Sequence, residues 1–80
     1  MKTTVSLDYP ISHDGLTVSE LALRRPTVAD NLAVQKLANN DAEREIRLLA
    51  NLAEVPPDLI HKMDLKDYGK LQTVLASFLS

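Results

Sequence analysis

Residues 4–24, TVSLDYPISHDGLTVSELALR, predict a β-hairpin. Apolar and polar side chains alternate over residues 5–9, as they do in a strand that buries one face. Pro10 is expected to end this strand. The Asp-Gly pair at residues 14–15 then favours a tight turn into a second strand over residues 16–23.

The apolar phase of the second strand slips by one residue at Ser19 and Glu20. A β-bulge at that point would bring the apolar side chains on either side of it onto one face, and these are Leu16, Val18, Leu21 and Leu23. We expect the hairpin to pack one face on the rest of the chain, through Val5, Leu7, Leu21 and Leu23.

Helical spacing replaces strand spacing after Pro26. Thr27 and Asp30 have the spacing of a capping box at the start of a first helix, whose apolar side chains are Val28, Ala29, Leu32, Ala33 and Leu37. Asn39 and Asn40 interrupt that helix.

A second helix is expected to follow, capped by Asn40 or Asp41. Its apolar side chains share a wide face, formed by Ala42, Ile46, Leu49, Ala50 and Ala53 and widened by Leu48 and Leu52. Arg44, Glu45 and Arg47 are interpreted as a solvated face.

Two more helices are expected beyond the proline pair at residues 56–57. Pro57 can begin a short third helix that runs to about Asp64. Asp64, three residues before Asp67, can cap a fourth helix, whose wide apolar stripe consists of Leu65, Tyr68, Leu71, Leu75, Phe78 and Leu79.

The sequence therefore predicts an α+β fold in which an N-terminal β-hairpin precedes three or four short helices. One domain is expected over residues 1–80, with the hairpin at about residues 3–24 and the helical part at about residues 27–79. Because an isolated hairpin is marginal in water, we expect a homo-oligomer in which the hairpin edge and the fourth helix are the contact surfaces.

The composition argues against several functional classes. Nine basic and eleven acidic residues give a net charge of -2, which supplies no general attraction to nucleic acid or anionic lipid. The absence of cysteine removes thiolate metal sites and disulfides. No apolar run approaches the ~20 residues that cross a bilayer. We expect a cytoplasmic, non-enzymatic protein with no cofactor, catalytic residue or metal site.

The stripe of the fourth helix is the candidate partner-binding surface, since it is wider than one packing seam requires. Burial in the core is the stronger interpretation for Leu71 and Leu75. For Tyr68, Phe78 and Leu79, burial in the core and binding of a partner are equally supported interpretations. The Tyr68 hydroxyl is suited to the solvent-exposed edge of an interface.

Two adjacent arginines are candidate charged contacts. Arg24 and Arg25 lie where the hairpin gives way to the first helix, and they can grip an acidic partner. The alternative is that they flank the sheet as solvated charge or pair with Glu20 or Asp30.

Several short motifs follow one another along the chain. They are Tyr9-Pro10-Ile11, Asp14-Gly15, Leu21-Ala22-Leu23-Arg24-Arg25-Pro26-Thr27 with Asp30, and Asp64-Leu65-Lys66-Asp67-Tyr68 followed by Leu71 and Phe78-Leu79. Together they resemble the short tail assembly chaperones of Mu-like and P2-like tailed phages. The resemblance implies a protein of the host cytoplasm, outside the mature virion, that keeps the helical tape measure protein soluble and helps recruit tail tube subunits.

A small DNA-binding regulator or adaptor is the alternative function. Short helices joined by tight turns can form a helix-turn-helix, and the cations available for phosphate contacts are Arg24, Arg25, Lys62, Lys66 and Lys70. The net negative charge of the chain weighs against this alternative.

Overall fold

The computed structural model describes residues 2–37 and 39–80, where an antiparallel hairpin precedes four helices. The strands are β1 (Lys2–His13) and β2 (Leu16–Arg24), and the helices are α1 (Val28–Gln35), α2 (Asp41–Ala53), α3 (Pro57–His61) and α4 (Leu65–Leu79). This arrangement confirms the predicted α+β fold. The predicted domain also includes Met1 and Ala38, which lie outside the described residues.

The prediction that Pro10 ends the first strand is wrong, because β1 continues through it to His13. Pro10 lies in an irregular stretch between the strand pairs Ser6–Glu20 and Ile11–Val18. A proline is tolerated there because the ladder does not require its missing amide donor.

The irregularity lies in β1, whereas the sequence predicted a bulge in β2. Four residues of β1, residues 7–10, lie opposite the single residue Ser19. Val5, Leu7 and Ile11 of β1 keep one alternation and are buried, whereas Tyr9, inside the irregular stretch, departs from it and stays exposed. In β2, Val18 is half-buried and Leu16 remains 70% exposed, so the predicted four-residue face forms only in part.

Three helix starts follow the capping signals in the sequence. Thr27 and Asp30 form the predicted capping box of α1. The Asn40 carboxamide oxygen accepts a hydrogen bond from the Glu43 amide at 2.8 Å at the start of α2. Asp64 accepts from the Lys66 amide at 3.0 Å and caps α4. Each cap satisfies an amide that the first helical turn would otherwise leave without a partner.

One face of the hairpin packs on the helices, as predicted from Val5, Leu7, Leu21 and Leu23, which are all buried. Helix α2 packs against β2 and α4 packs against β1, while α3 and α1 lie against α2. The helices complete the core with Leu49, Ala50, Leu52, Leu59, Ile60, Leu71 and Leu75.

Helix α1 is attached differently from the others. Val34 is its one buried side chain, and the apolar residues named from the sequence, Val28, Ala29, Leu32, Ala33 and Leu37, are all exposed. Since α1 has only eight residues, it buries the side chain of Val34 and exposes the rest of its surface to solvent.

Candidate functional site

Asp67 is a buried carboxylate that joins α4 to the irregular part of β1. It is 1% exposed, and its two oxygens accept hydrogen bonds from the amides of Asp8 at 2.9 Å and Tyr9 at 3.0 Å. The Lys70 ammonium lies 3.4 Å from the same carboxylate. Asp67 therefore satisfies amides that the interrupted ladder leaves without strand partners.

The charge of Asp67 is retained despite its burial. Burial alone would raise its pKa, but the two amide donors and the Lys70 ammonium outweigh that effect and hold the pKa below its ordinary value. The spacing of Asp64 and Asp67 had indicated helix capping and no other role for this pair. Asp64 does cap, whereas Asp67 has this different structural role.

The six candidate residues of α4 fall into three groups. Leu71 and Leu75 are buried in the core. Tyr68 and Phe78 are half-buried. Leu65 and Leu79 are 82% and 71% exposed, but fourteen residues of helix separate them by about 21 Å. The stripe is therefore not one continuous free surface.

Both half-buried aromatic residues contact polar or charged side chains. The Tyr68 hydroxyl donates to a Glu45 carboxylate oxygen at 2.7 Å, and burial together with this carboxylate raises the pKa of Tyr68 well above its ordinary value. The Arg25 guanidinium carbon lies 5.4 Å from the centre of the Phe78 ring, a cation–π distance. Nη2 of the same guanidinium donates to the Phe78 carbonyl oxygen at 3.1 Å.

The two candidate arginines have different environments. Arg24 pairs with Asp30 through two parallel hydrogen bonds of 2.7 and 2.8 Å, and this guanidinium holds the pKa of Asp30 well below its usual range. Arg25 is exposed and pairs with no carboxylate among the described residues. Of the two, Arg25 is the arginine whose charge is available to a partner.

A groove runs between α1, α2 and the C-terminal part of α4. It consists of two adjoining depressions of about 550 and 420 Å³ that share Asn31 and Leu48. We call it the three-helix groove and define it by Val28, Asn31 and Val34 of α1, Leu48 of α2, and Leu75 and Leu79 of α4.

The direction of each helix along the three-helix groove follows from which depression its residues line. Leu75 lies in the larger depression and Leu79 in the smaller one, while α1 runs the opposite way, from Val28 in the smaller to Gln35 in the larger. The eight residues from Val28 to Gln35 span about 10 Å. The three-helix groove is thus about two helical turns long.

The larger depression is lined by polar residues that the sequence had assigned to a solvated face. Arg44 and Glu45 line it, and both are half-buried, as is Arg47. Glu45 accepts hydrogen bonds from Tyr68 and from the Gln72 side chain at 2.8 Å. The interpretation as a fully solvated face is therefore wrong, because α4 covers part of that face of α2.

No sequence pattern predicted that the α1 side of the three-helix groove belongs to a binding surface. Val28 is 78% exposed and lines the groove, and Leu32 is exposed on the same helix. One feature of the sequence could have indicated this surface. Helix α1 has apolar residues around much of its circumference but is too short to bury them all.

The structure presents few other features of a functional site. No helix within residues 2–37 and 39–80 is long and apolar enough to cross a membrane. The same residues contain no cluster of three or more histidine, aspartate or glutamate side chains placed to hold a metal ion.

Comparison with known proteins gives one match. The family model described as "Phage tail assembly chaperone proteins, E, or 41 or 14" matches residues 4–80. No match was found among curated proteins or among solved structures. The described role of the family is tail assembly, which points to tail proteins as partners and to a non-catalytic role. With nearly its whole length matched, the chain belongs to the phage tail assembly chaperone family.

Proposed function

We propose that this chain binds the helical tape measure protein and keeps it soluble while the tail is assembled. Family membership supports a role in tail assembly, and the observation that carries the finer proposal is the exposed apolar surface around the three-helix groove. Val28 and Leu79 line its smaller end and are 78% and 71% exposed. A long helical protein has apolar stripes that aggregate unless a complementary apolar surface covers them.

The proposal includes the setting in which the protein acts. It acts in the host bacterial cytoplasm as a homo-oligomer of single-domain chains and is not part of the mature virion. Tail tube subunits are further partners, and no enzymatic activity, cofactor or nucleic acid is involved.

Within α4, exposure and position decide how each candidate residue takes part. Leu79 is proposed to touch the partner, and Tyr68 and Phe78 can contribute their exposed edges. Leu65 is also exposed but lies about 21 Å from Leu79, outside the three-helix groove. Leu75 lines that groove, whereas Leu71 is proposed to act indirectly, since the core holds it and it supports the helix.

The DNA-binding alternative has less support from the side-chain contacts. Lys66 and Lys70 both pair with Asp8, at 2.8 and 3.0 Å, and Arg24 pairs with Asp30. Three of the five cations named for phosphate contacts are thus already paired with carboxylates. We expect no retardation of duplex DNA at low salt, the condition that most favours phosphate binding.

The proposed function is tested by co-expression with the long, helix-rich protein expected from the adjacent downstream gene. With this chain present, that protein is expected to stay soluble and to elute with several copies of the chain in size-exclusion chromatography with light scattering. A partner that remains insoluble, or that always elutes separately, would contradict the proposed function.

A further inference from the structure

We propose that the three-helix groove binds one acidic amphipathic helix, whose apolar side chains are two turns apart and whose acidic side chains reach Arg25 and Arg44. The inference rests on the proposed function and specifies the part of the partner that is recognised. It also selects the Leu79 end of α4 over the Leu65 end.

The shape of the three-helix groove suits a helix. Apolar residues occur along its length, with Val34 and Leu75 in the larger depression and Leu48 in both. Its length of about two turns accommodates apolar residues at positions i, i+4 and i+7 of a docked helix. The exposed side chains of Val28 and Leu79 border the smaller, more apolar end.

A cation lies at each end of the three-helix groove. Arg25 precedes Pro26 of the smaller depression and stacks on Phe78, beside Leu79. Arg44 lines the larger depression, and the one carboxylate that it contacts within residues 2–37 and 39–80 is that of Asp41, at 2.7 Å. That Asp41 side chain is fully exposed, so water competes for the pair and weakens it.

The carboxylate that lines the three-helix groove is directed elsewhere. Glu45 accepts from both Tyr68 and Gln72 of α4 through one oxygen, and these hydrogen bonds hold the carboxylate toward α4. The cations near the two ends of the three-helix groove are Arg25 and Arg44. Complementary charge of this kind selects an acidic helix and disfavours a basic one.

The test uses two synthetic amphipathic peptides of about five helical turns. Both carry leucine at positions i, i+4 and i+7, and their flanking positions hold glutamate in one peptide and lysine in the other. By fluorescence anisotropy, the glutamate peptide is expected to bind at least about tenfold more tightly, with a preference that shrinks as salt is added. Equal binding of the two peptides, or binding of neither, would overturn the inference.

Reversing the charges of Arg25 and Arg44 tests whether these residues cause the preference for the glutamate peptide. The double variant Arg25→Glu with Arg44→Glu is expected to prefer the lysine peptide, after circular dichroism and thermal melting have shown that it is folded. A folded double variant that keeps the original preference would show that these arginines do not read the charge of the helix.

Matched apolar variants distinguish the two ends of α4. Leu79→Ser is expected to weaken binding of the glutamate peptide, whereas Leu65→Ser, an equally exposed site outside the three-helix groove, should not. Equal effects would contradict the assignment. A change of oligomeric state in the Leu79→Ser variant alone would also contradict it, because a second copy of the chain would then occupy the three-helix groove.

The two proposals can fail separately. If the long helical protein co-purifies with the folded groove variants as well as with the wild type, the groove assignment fails and the proposed function stands. If the wild-type chain never associates with that protein, the proposed function fails whatever the peptides do.

Discussion

Asp67 shows how one side chain decides the path of a strand far away in sequence. The irregular stretch of β1 leaves the amides of Asp8 and Tyr9 without strand partners, and a carboxylate almost sixty positions later accepts both. Two of the segments that carry the family resemblance, Tyr9-Pro10-Ile11 and Asp64-Leu65-Lys66-Asp67-Tyr68, are therefore joined directly in the fold.

Replacing Asp67 by asparagine should lower the melting temperature at neutral pH. The carboxamide has one acceptor oxygen, so its amino group would face one of the two backbone donors. Asp64→Asn is the matched control, because asparagine is also a good helix cap. The amides of Asp8 and Tyr9 should lose hydrogen-exchange protection only in Asp67→Asn. Equal melting and exchange in the two variants would show that Asp67 does not hold the strand.

The same carboxylate predicts a pH dependence. Because the folded state lowers the pKa of Asp67 from its ordinary value of 3.8, its stabilisation is fully present above about pH 4 and is lost as the pH falls through the folded pKa. The stability difference between wild type and Asp67→Asn should therefore shrink in acid. A difference that stays constant from pH 7 to pH 2 would contradict this linkage.

His61 connects two helices through a contact that depends on pH. Its Nε2 lies 2.8 Å from a Glu43 carboxylate oxygen, and its Nδ1 lies 2.9 Å from the Pro57 carbonyl oxygen. The hydrogen bond to Glu43 raises the pKa of His61 above 6.5, more than burial lowers it. The contact between α3 and α2 is thus strongest when the imidazole is protonated.

The titration of His61 by NMR should show a raised pKa, and Glu43→Gln should lower it. Since the folded pKa exceeds the unfolded one, the stabilisation is present below about pH 6.5 and is lost as the pH rises through the folded value. If Glu43→Gln leaves the titration unchanged, the ion pair is not the cause.

At the scale of elements, α4 combines a structural face with two exposed ends. Leu71 is fully buried, and Leu79, two turns later, is mostly exposed. The contacts with β1 account for part of the difference, because those of Lys66, Asp67 and Lys70 lie in the first half of the helix, well before Leu79.

Alanine substitutions at these two leucines should have very different effects on stability. Leu71→Ala is expected to cost about 2–5 kcal/mol, since it removes buried contacts and leaves a cavity. Leu79→Ala should change the free energy of unfolding by no more than about 0.5 kcal/mol, as is usual at exposed sites. Urea unfolding of both variants checks this, and similar losses would contradict the division of the α4 stripe.

The elements that could be predicted from the sequence depend on local signals. Thr27 with Asp30, Asn40 and Asp64 each meet amides within three residues, so spacing alone predicts the caps. Pro10 was misjudged because the fold tolerates it only through the bulge that Asp67 supports from α4. Local sequence carries no sign of that contact.

The candidate binding surface could be predicted only in part for a similar reason. Helical periodicity placed six residues on one side of α4, but which of them the hairpin covers depends on how the helix crosses the sheet. The α1 side of the three-helix groove was missed because Val28 becomes part of a surface only when α1, α2 and α4 come together.

At the scale of the whole molecule, the structural and binding surfaces lie on different parts of the chain. The hairpin uses one face to build the core with α2 and α4. Helix α1, attached through Val34, instead adds exposed apolar area beside the end of α4. This division allows a small chain to keep its fold while presenting an apolar surface to a partner.

The most direct test of the account is site-specific photocrosslinking of the chain co-expressed with the long helical protein. A photoreactive residue is placed at one of four exposed positions, Val28, Leu79, Leu65 or Leu16. Crosslinks to the long helical protein from the first two positions, and few from the last two, are the predicted result. Crosslinks that are equally frequent from all four, or that join only copies of the chain to each other, would contradict binding through the three-helix groove.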